Sequence, residues 1–146
     1  MTKVRLYVGL KVPDATAITA FSTLKRIGFS LKGLSRLEYY EFDVLKDAEK
    51  FMKEIVDVDV LVNHNKNTAK VSIEPIKDNL CILVRNTGDR CEKLFSLLRE
   101  RLGFIHISGM SRGTLWLLDG CNRETAEEIA DKLLCNEHYQ DFLVTP

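Results

Sequence analysis

Gly33-Leu34-Ser35-Arg36 recurs as Gly109-Met110-Ser111-Arg112, 76 positions further along a chain of 146 residues. Four residues can match by chance, so the surrounding sequence has to decide. The landmarks that recur in the same order are Gly28-Phe29 and Gly103-Phe104 before the two copies, and Asn63 and Asn136, then Val71 and Val144, after them. Such an ordered set indicates a tandem duplication, with repeat 1 at residues 1–76 and repeat 2 at residues 77–146.

Repeat 1 has the hydrophobic periodicity of a strand–helix–strand–helix–strand unit. Residues 4–10 alternate as a strand, and Asp14 can accept hydrogen bonds from the first amides of a helix that ends at Gly28. A long strand is predicted over 34–44, and a closing strand over 68–74.

The segment between these two strands has two interpretations. Val56-Asp57-Val58-Asp59-Val60 alternates like a strand, but its valines also continue the helical face of Phe51 and Ile55. The corresponding residues of repeat 2, 124–134, are rich in strong helix formers. We therefore predict a helix in both repeats.

Repeat 2 follows the same order. Asp89 and Glu92 fit a capping box before its first helix, and Asn122 fits the cap of its second helix. Asn63 and Asn136 are expected to end the second helix of each repeat in a left-handed conformation. The strands of repeat 2 are predicted over 80–84, 107–118 and 142–144.

The fold class that follows is α+β, with helices packed on one face of an antiparallel or mixed sheet. A repeat of about 70 residues buries a marginal core by itself and leaves strand edges unpaired. We therefore predict that the two repeats pair around a pseudo-twofold axis into one compact body. The junction, Pro75-Ile76-Lys77-Asp78-Asn79, is too short to tether two independent domains.

The composition, 45% apolar and 29% charged, is ordinary for a globular protein. The formal net charge is zero, so the sequence gives no electrostatic sign of a nucleic-acid or membrane partner. No apolar run approaches about 18 residues and the N-terminus is unlike a signal peptide, so a cytoplasmic location is expected. The cysteines are expected to be reduced and mostly buried rather than a disulfide or zinc site: Cys81, Cys91, Cys121 and Cys135.

Signatures of catalysis are largely missing from the sequence. It contains no glycine-rich phosphate loop and no GxSxG, HExxH or EF-hand pattern. Asp57 and Asp59 fit solvated charges at a turn, and His64, His106 and His138 lack the spacing of metal ligands. We therefore assign no catalytic residue, no metal site and no cofactor.

Arg36 and Arg112 are the most informative polar pair, because each lies early in the long strand of its repeat. Such an arginine can bind a carboxylate or phosphate of a partner or ligand, or it can pair with a neighbouring acid. Tyr39 and Trp116 lie on the same strands, where alternation predicts some outward-facing aromatic residues and hence an interaction surface. These four residues are our candidate partner interface.

The chain resembles the PurS family, the small subunit of the phosphoribosylformylglycinamidine synthase complex. Arg36 and Arg112 match the arginine that opens the family's second strand, whereas the glycine after that arginine is kept only as Gly113. The other segments that carry the resemblance are residues 4–11, Pro13-Asp14, Leu24-Lys25-Arg26-Ile27-Gly28-Phe29, Asp131-Lys132-Leu133-Leu134-Cys135-Asn136 and Asp141-Phe142-Leu143-Val144.

The resemblance implies two PurS-like units in one chain, similar to the dimers of single-unit PurS chains. It implies a subunit that is non-catalytic by itself, within an ATP-dependent amidotransferase complex of purine biosynthesis. The implied partners are a glutaminase subunit, which releases ammonia, and a synthetase subunit, which transfers it to formylglycinamide ribonucleotide. The PurS-like chain would join the two and help to shield ammonia, and the tandem chain could itself form a homodimer.

Two other functions remain open from the residues. A tandem ligand-sensing domain of the ACT kind has a similar mixture of strands and helices, binds small metabolites between its units, and predicts four strands per unit rather than three. An enzyme in its own right needs a convergent titratable site, which the sequence does not show.

Overall fold

The computed structural model describes residues 1–74, 80–89 and 91–145. Within these residues, each repeat has the predicted strand–helix–strand–helix–strand order. The elements of repeat 1 are β1 Thr2–Leu10, α1 Ala15–Arg26, β2 Gly33–Val44, α2 Ala48–Ile55 and β3 Asn67–Ser72. Those of repeat 2 are β4 Leu80–Asn86, α3 Glu92–Ser96, β5 Ile107–Asp119, α4 Arg123–Ile129 and β6 Gln140–Thr145. A π-helical segment continues α3 over Leu97–Arg101, and another continues α4 over Ala130–Leu134.

The strands form one six-stranded sheet in the order β3-β1-β2-β5-β4-β6. Counted inward from one edge, the sheet begins with the third, first and second strands of repeat 1. Counted inward from the other edge, it begins with the third, first and second strands of repeat 2. β1 pairs antiparallel with β2 and β3, and β4 pairs antiparallel with β5 and β6. The predicted α+β class with an antiparallel sheet is confirmed.

The described residues fall into two compact units, and neither unit coincides with a repeat. Unit 1 contains residues 1–11, 38–74, 88–89 and 91–112, and unit 2 contains residues 12–37, 80–87 and 113–145. Strands β2 and β5 each contribute residues to both units. The predicted boundary between the repeats falls in 75–79, which lie outside the described residues.

Unit 1 has its own apolar core, in which α2 and α3 pack on the alternating residues of β1 and β2. Phe51 of α2 makes edge-on ring contacts with Phe42 at 5.2 Å and with Phe104 at 5.5 Å between centroids. Ile55 and Leu98 are completely buried in this core. Burying an aliphatic side chain of this size contributes roughly 1.5–3 kcal/mol.

Unit 2 has a second apolar core, in which α1 and α4 pack against β4 and β6. Leu24 of α1 and Ile129 of α4 are completely buried there, together with Ile82 of β4. Trp116 of β5 belongs to the same core and is 7% exposed. This core therefore mixes a helix of repeat 1 with strands and a helix of repeat 2.

The first helix of each repeat packs in the core that contains the other repeat's first strand. Helix α1 of repeat 1 shares the core of unit 2 with β4, and helix α3 of repeat 2 shares the core of unit 1 with β1. Because the helices are exchanged in this way, neither repeat contains a complete core.

The predicted second helix of repeat 1 is too long. Helix α2 ends at Ile55, and residues 56–62 form turns rather than a helix or a strand. The amides of Leu61 and Val62 both donate to the carbonyl of Val58. A run of valines separated by aspartates is a weak helix former. Valine side chains lose rotamer freedom in a helix, and aspartate side chains compete for backbone hydrogen bonds. The prediction by analogy with residues 124–134 is therefore wrong for this segment.

Asn63 and Asn136 make the same turn in both repeats, but not the left-handed one that was predicted. The Asn63 side chain accepts from the amide of Asn65 at 3.0 Å, and that of Asn136 accepts from His138 at 3.1 Å. Among the described residues, the only non-glycine residues with positive φ are Asp47 and Cys91. A side-chain acceptor two residues before an amide makes the turn without a left-handed residue.

Three of the remaining four predicted helix caps are found in the structure. Asp14 caps α1 and Asn122 caps α4 through side-chain oxygens, and Gly28 follows α1 at φ 105°. The capping box of Asp89 and Glu92 is not formed, because the residue at the cap of α3 is Cys91. Among the described helices, none is both long enough and apolar enough to cross a bilayer.

Candidate functional site

Asp14 and Arg36 form an ion pair in unit 2 that ties the start of α1 to β2. Arg36 donates from Nε to Oδ2 at 2.9 Å and from Nη2 to Oδ1 at 3.1 Å. The same carboxylate accepts from the amides of Thr16 at 3.0 Å and Ala17 at 3.3 Å. One side chain therefore both caps the helix and orients the arginine.

The electrostatics of Asp14 follow from this geometry. Burial by itself would raise the pKa of Asp14, but the hydrogen bond from Arg36 and those from the backbone amides outweigh it. The pKa of Asp14 is therefore lowered from its ordinary value, because these donors favour the charged form.

Trp116 of repeat 2 lies beneath the guanidinium of Arg36. The Arg36 Cζ atom is 5.8 Å from the centre of the Trp116 ring. A cation at this distance from an aromatic face is attracted by the ring quadrupole, by about 0.5–1 kcal/mol at an exposed site. Arg36 thus contacts an acid of its own repeat and an aromatic ring of the other repeat.

Unit 1 contains a second version of the ion pair, made by Arg112 and Asp89. Arg112 Nε donates to Asp89 Oδ2 at 2.8 Å, and the amide of Cys91 donates to Asp89 Oδ1 at 3.0 Å. The hydrogen bond from Arg112 lowers the pKa of Asp89 most, and the bond from the Cys91 amide lowers it further. The hydrogen bond between Arg112 and Asp89 is also the main reason that the pKa of Arg112 is raised. Asp89 therefore binds the arginine and an amide beside α3, instead of forming a capping box.

Tyr40 occupies the position in repeat 1 that Trp116 occupies in repeat 2. Its hydroxyl donates to Glu38 at 3.3 Å. Burial and the charge of Glu38 raise the pKa of Tyr40 to about 12, and the positive charge of Arg112 partly opposes this. Arg112 therefore acts electrostatically on an aromatic residue of the other repeat, as Arg36 does on Trp116.

The ion pair of unit 1 lines a surface pocket, whereas the pocket of unit 2 is lined by neighbours of its ion pair, and the two pockets differ in character. In unit 1, a pocket of about 590 Å³ is lined by Arg112 and Asp89 together with residues of α3. In unit 2, a pocket of about 460 Å³ lies beside Trp116 and is lined by alanines and threonines of α1 and by Leu133 and Leu134. Counting only residues that the structure describes, the first lining contains four charged side chains and the second contains none.

Glu41 is the centre of a polar cluster on β1, β2 and β5 within unit 1. It accepts from the Tyr39 hydroxyl at 3.0 Å and from Ser111 Oγ at 3.4 Å. Arg5 and Lys3 each approach its carboxylate to 3.9 Å. Burial, followed by the charge of Glu41, raises the pKa of Tyr39 above its ordinary range. The cluster satisfies the Tyr39 hydroxyl, which is the usual arrangement for a buried tyrosine.

Of the four candidate interface residues, the two arginines form ion pairs and the two aromatic residues are buried. Arg36 and Arg112 each pair with an acid, which is the second of the two roles considered for them. Tyr39 is 6% exposed and Trp116 is 7% exposed, so the expected outward-facing aromatic surface is wrong for both. The sheet buries them because Tyr39 packs on Tyr7 and Trp116 lies in the core of unit 2. A role for the four residues at a partner interface stays a prediction.

Sequence reasoning did not find the acids that hold the arginines. Asp14 lies 22 residues before Arg36, and Asp89 lies 23 residues before Arg112. The two Asp–Arg spacings differ by only one residue, and this similarity was visible in the sequence once the repeats had been aligned. It would have predicted that the two pairs are equivalent.

In the part of the chain that the structure describes, no group of three or more His, Cys, Asp or Glu side chains could hold a metal ion. His64 is exposed and lies 3.3 Å from Asp57. All four cysteines are free thiols; Cys81 and Cys91 are buried, and Cys121 and Cys135 are half-buried.

No protein-family model matches this chain, and no curated protein sequence matches it. The resemblance to the PurS family therefore depends on the residues quoted above.

Proposed function

We propose that this protein is a non-catalytic assembly subunit of a phosphoribosylformylglycinamidine synthase complex, which joins the synthetase and glutaminase subunits in the cytoplasm. The observation that carries the proposal is the recurrence of one Asp–Arg pair in both repeats, at the arginine that resembles the family's. Asp14 with Arg36 and Asp89 with Arg112 connect the first helix of a repeat to its second strand. The matching residues thus have one structural role in both repeats.

A paired arrangement of two PurS-like units is part of the same proposal. Its support is the strand order, which runs third, first, second from either edge of the sheet. Further support comes from Asn63 and Asn136, whose turns have the same hydrogen bonds. These repeated contacts are what two copies related by a pseudo-twofold axis would produce.

In the proposed complex, the glutaminase subunit releases ammonia and the synthetase subunit uses ATP to transfer it to formylglycinamide ribonucleotide. This chain would hold the two subunits together and help to keep ammonia from solvent. It would supply no catalytic residue of its own. Arg36 and Arg112 would lie at the docking surface, whereas the buried Tyr39 and Trp116 would fix its shape.

Sedimentation velocity tests the proposal. The chain is mixed with the synthetase and glutaminase subunits of the same cell, in the presence of glutamine and an ATP analogue. A species that contains all three chains is expected. Three separate boundaries at micromolar concentrations, with glutamine and nucleotide present, would contradict the proposal.

A ligand-sensing domain of the ACT kind is the second candidate. This candidate predicts four strands per repeat, whereas each repeat contributes three strands in the described residues. Each compact unit of the described residues, however, contains two whole strands and parts of two others, β2 and β5. Four strand segments per compact unit favour the ligand-sensing candidate. A saturable thermal shift with an amino acid or nucleotide, of size set by RT ln(1 + [L]/Kd), and no protein partner would support this candidate.

A further inference from the structure

The two paired arginines differ in how much of the guanidinium group their acids occupy. Asp14 holds Arg36 through both Nε and Nη2. Asp89 holds Arg112 through Nε alone, at 2.8 Å. Within the described ranges, neither Nη group of Arg112 has a hydrogen-bond partner, and its side chain is 50% exposed against 32% for Arg36. Arg112 therefore keeps two donor groups available while its orientation is fixed.

Arg112 also lies at a pocket that can contain a ligand. The pocket has a volume of about 590 Å³, within the range of about 300–1,000 Å³ that is typical of small-molecule sites. Leu94 and Leu97 supply an apolar wall, and Lys93 supplies a second cation. The pocket of unit 2 has no charged side chain among its described lining residues, so the combination of cations and apolar wall is found in the pocket of Arg112.

The charges of the lining restrict the class of ligand. Asp89 and Glu92 line the same pocket as Arg112 and Lys93, so the two acids balance the two cations among the described lining residues. A phosphate with two negative charges would be repelled by the acids more strongly than a carboxylate with one. The planar fork of a guanidinium group can bind either anion in two parallel hydrogen bonds, so the nearby acids are what favours the carboxylate.

We propose that this pocket binds a small monocarboxylate with an apolar chain, whose carboxylate accepts hydrogen bonds from Arg112 and lies near Lys93. The apolar chain packs along Leu94 and Leu97. The site lies within unit 1 and needs no other subunit. It goes beyond the assembly role and does not depend on it, so the test uses this chain alone.

Titration followed by amide NMR tests the proposal with hexanoate as the probe. Saturable shifts are expected at Gly88, Asp89, Leu94 and Leu97, and at the Nε of Arg112. Hexylamine, which has the same chain with a positive group, and inorganic phosphate are expected to produce much smaller shifts at these positions. If hexanoate produces no saturable shift there, or if hexylamine binds equally well, the proposal is overturned.

Two variants make the test specific. Arg112→Gln is expected to weaken hexanoate binding about tenfold or more, since it removes the charged hydrogen bonds. Arg36→Gln is the matched control, because it removes the corresponding arginine of unit 2 and should leave binding unchanged. Lys93→Gln changes an exposed residue outside the ion pair, so it keeps the fold, and it should weaken binding several-fold. The assignment would be contradicted if Arg36→Gln weakened hexanoate binding as much as Arg112→Gln does. It would also be contradicted if neither Arg112→Gln nor Lys93→Gln weakened hexanoate binding.

Discussion

Asp14 holds Arg36 through two hydrogen bonds, at 2.9 and 3.1 Å, with the carboxylate that also caps helix α1. The helix packs in the core of unit 2, and the arginine lies over Trp116 of repeat 2. A single acid therefore links the cap of a helix of repeat 1 to a contact with repeat 2. Asp89 holds Arg112 through Nε alone, at 2.8 Å, and its side chain does not cap helix α3.

Substitution of Asp14 should separate its two roles. Asp14→Ala removes both the cap and the ion pair, and should lower the free energy of unfolding by about 2 kcal/mol. Asp14→Asn keeps an oxygen that can cap the helix but loses the charge, so about 1 kcal/mol is expected. Urea denaturation at neutral pH measures both values. The control is Asp59→Asn, at an exposed turn position, which should change stability by less than about 0.5 kcal/mol. Equal values for Asp59→Asn and Asp14→Asn would contradict the assigned ion pair.

The pH dependence of stability should follow the same acids. Asp14 and Asp89 have pKa values below their ordinary values in the folded protein. Their contribution is therefore fully present above the pKa of the unfolded chain, about 4, and is lost as the pH falls through the folded pKa values. Stability should decline below about pH 4. The double variant Asp14→Asn, Asp89→Asn should show a shallower decline in the same range, and an unchanged acid slope would show that these pairs do not contribute.

Separate expression of the repeats should show that neither folds by itself. Leu24 of repeat 1 is completely buried in a core built mainly from repeat 2, so residues 1–76 lack the surface that buries α1. Circular dichroism of this fragment is expected to show no cooperative unfolding transition. Mixing it with residues 77–146 should restore the transition in a concentration-dependent way. A cooperative transition for either fragment as a monomer would contradict the exchange of helices.

Gly113 should tolerate no side chain. A Cβ atom at this position would lie 2.7 Å from the carbonyl oxygen of Val84, which the backbone of β4 holds in place. Gly113→Ala should therefore lower the free energy of unfolding by about 2 kcal/mol. The control is Gly33→Ala in the equivalent strand of repeat 1, where the nearest atom, Cβ of Asp119, is 3.7 Å away. That variant should be nearly neutral, and equal costs at the two positions would show that the close approach to Val84 is not the cause.

The sequence was sufficient for features that depend on local chemistry. Alternation predicted the strands within a few residues, since a strand with one buried face requires it. Asp14 and Asn122 were predicted as caps because a short acceptor side chain there satisfies free amides of the helix. The similar order of elements in the two halves was predicted partly because Asn63 and Asn136 keep the same place in each half.

Features that depend on distant parts of the chain were not predicted. Periodicity shows that α1 has an apolar face, but it does not show against which strands that face packs. The burial of Tyr39 was missed for the same reason, since its cover comes from Tyr7 and from the cluster of Glu41. Residues 56–62 were predicted from their counterpart in repeat 2, although the two repeats differ there in helix propensity.

The most direct test of the assembly role compares two sources of nitrogen for the synthetase. The synthetase and glutaminase subunits are assayed for formylglycinamidine ribonucleotide with and without this chain. The account predicts that glutamine-dependent synthesis requires the chain, whereas synthesis from added ammonium salt does not. Glutamine-dependent synthesis at an equal rate without the chain would contradict the account.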